Sequence, residues 1–204
     1  MAERNTTKPV LIFARAPRRG EVKRRLAAGI GDDAALAFYR TTLFELTARL
    51  RRAPGLAPSL VVTPDESLAD ASLWPPGIPR AAQGSGDLGV RMRRALEGAP
   101  ALPAVLIGSD VPDIGTAHLE RAFALLADHD LVFGPSPDGG FWLIGTRRRP
   151  LPAGFFEHVR WSSRHALEDS LNGIPGGWSV ALADQLADVD DARAYAEWRG
   201  VGPA

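Results

Sequence analysis

Cysteine is absent from the chain, which excludes disulfides, thiol nucleophiles and thiolate metal sites and leaves carboxylate and histidine as the available metal ligands. Charge of either sign in excess is also absent. With 24 Lys and Arg against 24 Asp and Glu, no net field draws nucleic acid or an anionic membrane, so any anion must be recognised locally. No apolar run reaches the length of a membrane span, and Met1 to Lys8 are too polar for a secretory segment. A cytoplasmic protein is expected. His158 and His165 lack the paired spacing of a zinc site, and no internal repeat or low-complexity tract is present. At 204 residues the chain suits one well-buried α/β core better than two, so a single domain over 1–204 is expected.

What is present alternates between strand and helix. Val10 to Ala14 reads as a first buried strand between Pro9 and Pro17, and Leu60 to Thr63 as a second. Between them Leu36, Tyr39, Leu43, Leu46 and Leu50 recur at helical spacing over Asp32 to Arg52, with Asp32 or Asp33 as cap. Trp74-Pro75-Pro76-Gly77 is a connection. Gln83 to Asp87 leads into a helix that carries Leu88, Met92, Ala95 and Leu96 inward, and Ala104 to Gly108 is a central strand. Thr116 can cap a helix whose core face is Leu119, Ala122, Phe123 and Leu126. Strands at Leu131 to Gly134 and Phe141 to Gly145 follow, then a helix near Arg164 to Leu171, a strand near Ser179 to Ala183 and a helix near Ala192 to Arg199.

Two segments stand out chemically. The apolar run Ala104 to Ile107 stops at Gly108-Ser109-Asp110-Val111-Pro112, which puts a carboxylate beyond the end of a buried strand, where ligands bind in open α/β sheets. Pro112 disfavours helix at the residue before it, so Asp110 is held in place for metal or phosphate chemistry. Phe13 to Leu26 puts Gly20 and the cations Arg15, Arg18, Arg19, Lys23, Arg24 and Arg25 at the start of a short helix. Free backbone N–H groups point outward there, and Lys23 and Arg25 suit the phosphates of a nucleotide. The loop has neither P-loop nor dinucleotide spacing, and a solvated cationic face accounts for Arg18, Arg19 and Arg24 equally well. Asp138-Gly139-Gly140 between two apolar runs signals a tight turn. Alternatively, its glycines let the backbone approach a sugar or acceptor while Asp138 bonds a hydroxyl.

In order along the chain, Gly20-Glu21-Val22-Lys23-Arg24-Arg25-Leu26, Asp87-Leu88-Gly89-Val90-Arg91-Met92, Gly108-Ser109-Asp110-Val111-Pro112, Gly134 to Gly145, Trp161-Ser162-Ser163 and Asp188-Val189-Asp190 resemble the bacterial GT-A-fold glycosyltransferase-like family. That family is also known as transferase 1 or arsenosugar-biosynthesis-type glycosyltransferases, within the nucleotide-diphospho-sugar transferase superfamily. The resemblance covers nearly the whole chain and extends to small nucleotidyltransferases. It implies a three-layer Rossmann-like GT-A fold with a mostly parallel central sheet, a nucleotide in the N-terminal half and a divalent metal on Asp110. The family usually has lysine where Arg15 stands, threonine where Arg24 stands, and an acidic residue where Ala194 stands.

These readings combine into an expected site. Mg²⁺ or Mn²⁺ would bind Asp110, with Asp188 or Asp190 as second carboxylate, and bridge the phosphates of a nucleotide; an acidic pair before a helix also serves as a cap. Arg15, Gly20, Lys23, Arg25 and Arg91 would face phosphate, with Gln83 and the segment to Asp87 facing the base. Asp138, Gly139, Gly140, Trp161 and Ser162 would face the sugar or acceptor, while Trp142 is assigned to the core. A metal-dependent glycosyltransferase using a nucleotide-diphospho-sugar would use Asp138 as base toward a small-molecule acceptor. A nucleotidyltransferase would instead join a nucleoside triphosphate to a small phosphorylated acceptor, with Lys23, Arg25 and the metal stabilising departing pyrophosphate. A non-catalytic nucleotide-binding module is the third reading.

Overall fold

The computed structural model describes residues 7–200; most of the polar stretch at the chain start lies outside them. Strand β1 (Lys8–Arg15) is followed by α1 (Arg24–Ile30), α2 (Asp32–Arg52), β2 (Leu56–Thr63), β3 (Arg80–Ala82), α3 (Leu88–Glu97) and β4 (Ala104–Gly108). The second half consists of α4 (Thr116–Asp128), β5 (Leu131–Pro135), β6 (Phe141–Thr146), α5 (Ala166–Asn172), β7 (Val180–Leu182) and α6 (Ala192–Trp198). The strands form one seven-stranded sheet in the order β3-β2-β1-β4-β6-β5-β7. Only β6 runs antiparallel to its neighbours. The mostly parallel α/β sheet expected from the family resemblance is the one observed.

The sheet is covered on both sides, which is why β1 reads as an unbroken apolar run. Val10, Ile12 and Ala14 pack with Leu43, Leu46 and Leu50 of α2 and Leu119, Phe123 and Leu126 of α4. Leu11, on the opposite face, joins Met92 and Leu96 of α3 and Phe155 and Phe156. Sandwiched this way, the carboxyl ends of β1 and β4 open together at one edge of the sheet. The connection from β1 leads to β2 on one side, whereas β4 lies on the other, so the crevice between them is the switch point at which such sheets bind ligands.

The expected elements are present with shifted ends. Strand β2 starts at Leu56 and includes Pro58, which pairs with Val10; β3 reaches only Leu60 to Val62, so the missing proline N–H falls where no second neighbour requires it. Short β3 and the 3₁₀ turns at Asp65–Ala69 and Ala71–Leu73 were not foreseen. The caps differ as well. Gly31, not Asp32 or Asp33, occupies the N-cap of α2, and both aspartates pair instead with Arg19. Gly115 precedes α4 in place of Thr116, its N–H donating to His118 Nδ1 at 3.0 Å. Leu88 does not point inward. It is 41 % exposed because it opens α3 at the mouth of the crevice, before the helix reaches the core. No helix among the described residues is long and apolar enough to cross a membrane.

Candidate functional site

The loop after β1 aims a cation at the crevice. Gly20 turns with positive φ, and Lys23, at the N-cap of α1, adopts the left-handed conformation with φ 47° and ψ 45°. That uncommon backbone for a non-glycine residue turns the lysine away from solvent, leaving its side chain 4 % exposed. Its Nζ donates to Asp110 Oδ2 at 3.0 Å and to Asp190 Oδ1 at 3.4 Å. Burial disfavours the ammonium, but Asp110, Asp190 and Asp188 outweigh it, and the lysine pKa lies above its ordinary value. Arg25, exposed, meets the other oxygen of Asp190 at 3.1 Å.

The strand ends are tied together beneath this pair. Tyr39 of α2 donates from its hydroxyl to the Arg15 carbonyl at 2.9 Å, accepts the Arg15 N–H at 2.9 Å, and lies 3.1 Å from the buried Ser109 hydroxyl. Burial pushes the Tyr39 pKa up to about 12, so the phenol stays protonated. Asp110 follows at the end of β4, and its carbonyl accepts the N–H of Val189 at 3.3 Å. This bond brings the segment before α6 over the crevice, with Asp188 and Asp190 flanking the buried Val189. Capping of α6 falls to Asp191, whose side chain accepts the N–H of Ala194 at 2.8 Å, so the alternative explanation for the acidic pair is met by a third residue. Asp188 is raised to about 6 by burial first, then by Asp110, Asp138 and Asp190 against the opposing influence of Lys23.

Two clefts meet at Asp110. One, of about 450 Å³, is lined by Arg15, Lys23, Tyr39, Gln83, Arg91 and Asp190 among others. The other, of about 320 Å³, is lined by Asp138, Gly140, Phe141, Trp161, Ser162 and Asp188 among others. Phe13, Leu88 and Gly108 border both. Gln83 is buried, its Nε2 donating to the Val61 carbonyl at 3.0 Å, while Arg91 Nε holds the Gly86 carbonyl at 2.8 Å. Asp87 and Gly20 line neither cleft; Asp87 caps α3 by accepting the N–H of Val90 at 2.8 Å.

In the second cleft Asp138 Oδ1 accepts the N–H of Gly140 at 2.9 Å, which forms the turn that the sequence signalled. Gly139 has φ 86°, and a Cβ there would run into the carbonyl of Arg164. Its close approach is therefore to the chain before α5, and its carbonyl accepts the N–H of Leu167 in the first turn of α5 at 3.0 Å. Trp161 packs edge-on against Phe156 and Phe141, and Ser162 follows with positive φ. Trp142 is buried as expected, its indole N–H donating to the Asp184 carbonyl at 2.9 Å. Sequence reasoning passed over Tyr39 and Ser109 as site residues and treated Leu88 as core. Positive φ at Lys23 left no signal in the sequence.

Among the described residues, no three His, Cys, Asp or Glu side chains converge to hold a metal ion. The donor chemistry still fits Mg²⁺ or Mn²⁺, which bind through one or two carboxylates and complete their shell with substrate phosphates and water. Asp110 with Asp188 or Asp190 supplies such oxygens, and the cation already drawn between Asp110 and Asp190 is Lys23.

A bacterial family described as "uncharacterized protein conserved in bacteria (DUF2064)" matches residues 46–163. The chain belongs to it. The matched segment holds Asp110, Asp138, Trp161 and Ser162, whereas Lys23, Asp188 and Asp190 lie beyond its ends. Among solved structures, a candidate nucleotide-diphospho-sugar transferase from Desulfovibrio desulfuricans G20 is 27 % identical with a TM-score of 0.81, over 96 % of this chain and 87 % of that one. Rv0371c of Mycobacterium tuberculosis H37Rv, in complex with manganese, is 18 % identical with a TM-score of 0.53, over 96 % and 98 %. The inositol-1-phosphate CTP transferase of T. maritima is 13 % identical with a TM-score of 0.54, over 93 % and 91 %. The last two likenesses are of fold. No curated protein matches.

Proposed function

We propose that this DUF2064 protein is a metal-dependent glycosyltransferase-like enzyme that takes a nucleotide-diphospho-sugar as donor. The observation that carries the reading is the meeting at Asp110 of two clefts of different chemistry. The first offers Arg15, Lys23 and Arg91, suited to a diphosphate. Arginine grips phosphate oxygens in parallel pairs, and lysine serves as a mobile point charge. Asp110 with Asp188 or Asp190 would hold Mg²⁺ or Mn²⁺, which when bound neutralises charge on the diphosphate as it departs. The manganese complex of Rv0371c and the name of the D. desulfuricans protein support this reading.

The second cleft would receive the sugar and its acceptor. For transfer with inversion, the acceptor oxygen bonds to the anomeric carbon as the bond from that carbon to the diphosphate breaks. The nucleoside diphosphate leaves, and the acceptor proton passes to Asp138 as general base. Lys23 and Arg25 would balance charge on the leaving group. In the free protein both are held by Asp190, so binding exchanges partners.

Nucleotidyl transfer is the second reading, supported by the cationic loop after β1 and by the fold shared with a CTP transferase. The two reactions differ in product. Nucleotide sugars and nucleoside triphosphates, each offered with Mg²⁺ or Mn²⁺ and an acceptor panel, are expected to give nucleoside diphosphate from the sugar nucleotide. Pyrophosphate released from a triphosphate would transfer the assignment to the second reading. Absence of both products, with no nucleotide-dependent thermal stabilisation, would overturn both.

A further inference from the structure

We infer that the second cleft selects an uncharged or cationic acceptor that combines a ring bearing hydroxyls with an apolar or aromatic face, and that it rejects phosphorylated compounds. The inference rests on the transferase reading and adds the class of acceptor. It follows from how charge is divided between the clefts. Every ionisable side chain among the described residues lining the second cleft is acidic: Asp110, Asp138 and Asp188. None is lysine, arginine or histidine. The cations Arg15, Lys23 and Arg91 line the other cleft, where Lys23 is bonded to Asp110 and Asp190, and exposed Arg25 is bonded to Asp190 outside both clefts. Arg160, beside Trp161 in sequence, is closed off by two hydrogen bonds to the carboxylate of Asp169 at 2.8 and 2.7 Å.

A phosphate entering this space in the metal-free protein would meet three carboxylates, of which Asp110 alone is paired, with Lys23 of the other cleft. With a metal held by Asp110 and Asp188 or Asp190, Asp138 remains as the repelling charge, in a partly desolvated cleft where like charges repel more strongly than in water. An amine would be attracted by the same groups. The remaining wall is apolar, formed by Leu88, Met92, Phe141 and Trp161. Trp161 is half-buried and backed by Phe156 at 5.6 Å between ring centres, so it is a rigid flat surface for a ring. Ser162 and Ser163 at the rim can exchange hydrogen bonds with ring hydroxyls. The volume of about 320 Å³ lies at the small end of ligand clefts, and the donor's sugar shares it, so a small ring compound fits the space and an extended polymer does not.

The test titrates the full chain calorimetrically with a phenyl hexoside, a phenyl aminohexoside and the phenyl hexoside 6-phosphate. A parallel thermal-shift series with nucleotide and Mn²⁺ reports on the donor cleft. The neutral and amino compounds are expected to bind at least tenfold more tightly than the phosphate. Trp161→Ala should weaken both about tenfold, with Trp161→Phe intermediate, while the nucleotide shift is retained. Asp138→Asn should narrow the gap to the phosphate severalfold, because one repelling charge is gone. Equal or tighter binding of the phosphate overturns the inference, as does failure of all three compounds to bind. Absence of the nucleotide shift, with the ligand selectivity intact, counts against the transferase reading and leaves the selectivity standing as a property of the cleft, without the acceptor role.

Discussion

Lys23 is the residue on which the charge balance of the crevice depends. Lys23→Met removes the ammonium shared by Asp110 and Asp190, and a charge-assisted contact to a diphosphate is worth about 1.5–3 kcal/mol. Calorimetric affinity for the donor nucleotide is therefore expected to fall about 10- to 100-fold, with the secondary structure unchanged by circular dichroism. Tyr39→Phe tests the tie beneath it. The lost hydroxyl leaves the buried Ser109 side chain and the Arg15 N–H without their partner, at a cost of about 1–3 kcal/mol, measurable by urea unfolding. Asp110 was legible because a carboxylate stood three residues after an apolar run, with proline two residues on. Tyr39 was not. It sat on the helical face assigned to the core, and its partners come from 24 and 70 residues away, beyond the reach of any local pattern.

Strands and helices obey the same division between local and distant causes. Helix α2 was readable over its full length because a 21-residue amphipathic period is a strong signal. Strand β3 was not, since three residues carry no period and only pairing with β2 makes them a strand. Strands β5 and β7 are held at their starts by Asp130, whose carboxylate accepts the Ser179 N–H at 2.9 Å and the Ser179 hydroxyl at 3.1 Å and pairs with Arg147 at 3.0 Å. These hydrogen bonds, led by the Ser179 N–H, hold the Asp130 pKa below its ordinary value. The group is charged in both states above about pH 3.9, the ordinary aspartate value, and its contribution to stability is fully present there. It is lost as pH falls through the lower folded value. Asp130→Asn is accordingly expected to lower the urea midpoint at pH 7, with a loss that shrinks toward acid pH. Gly139→Ala meets the Arg164 carbonyl at positive φ, and strain and overpacking together cost about 3 kcal/mol or more. A drop in melting temperature with a weakened second cleft would bear this out, and an unchanged melting temperature would refute the packing role.

For the assembled sheet, the family resemblance supplied what periodicity could not, namely a mostly parallel sheet, whereas the strand order that brings residues from both ends of the chain to one crevice is visible only in the structure. Spacing placed Asp110 and Asp138 on separate strand ends. It could not show that Lys23, 87 residues from Asp110, would reach it, because that contact follows from β1 lying beside β4. A ligand confined to the folded state stabilises by about 2.7 kcal/mol at a hundred times its dissociation constant. Donor nucleotide with Mn²⁺ should therefore raise the melting temperature, and Asp110→Asn should abolish the metal-dependent part of the rise while keeping the fold. An identical rise in the variant would remove Asp110 from the metal site.

The hydrogen bond from Val189 to the Asp110 carbonyl also sets an order of events during synthesis. Strands β1, β4 and β6 precede residues 188–190 in the chain, so a central sheet that pairs during synthesis would stand for a time without Asp188 and Asp190. During that interval Lys23 has Asp110 but lacks Asp190. A nascent chain stalled before residue 188 should therefore hold the sheet yet carry a more cationic, incomplete pocket, which gains its final charge balance only when residues 188–190 are in place.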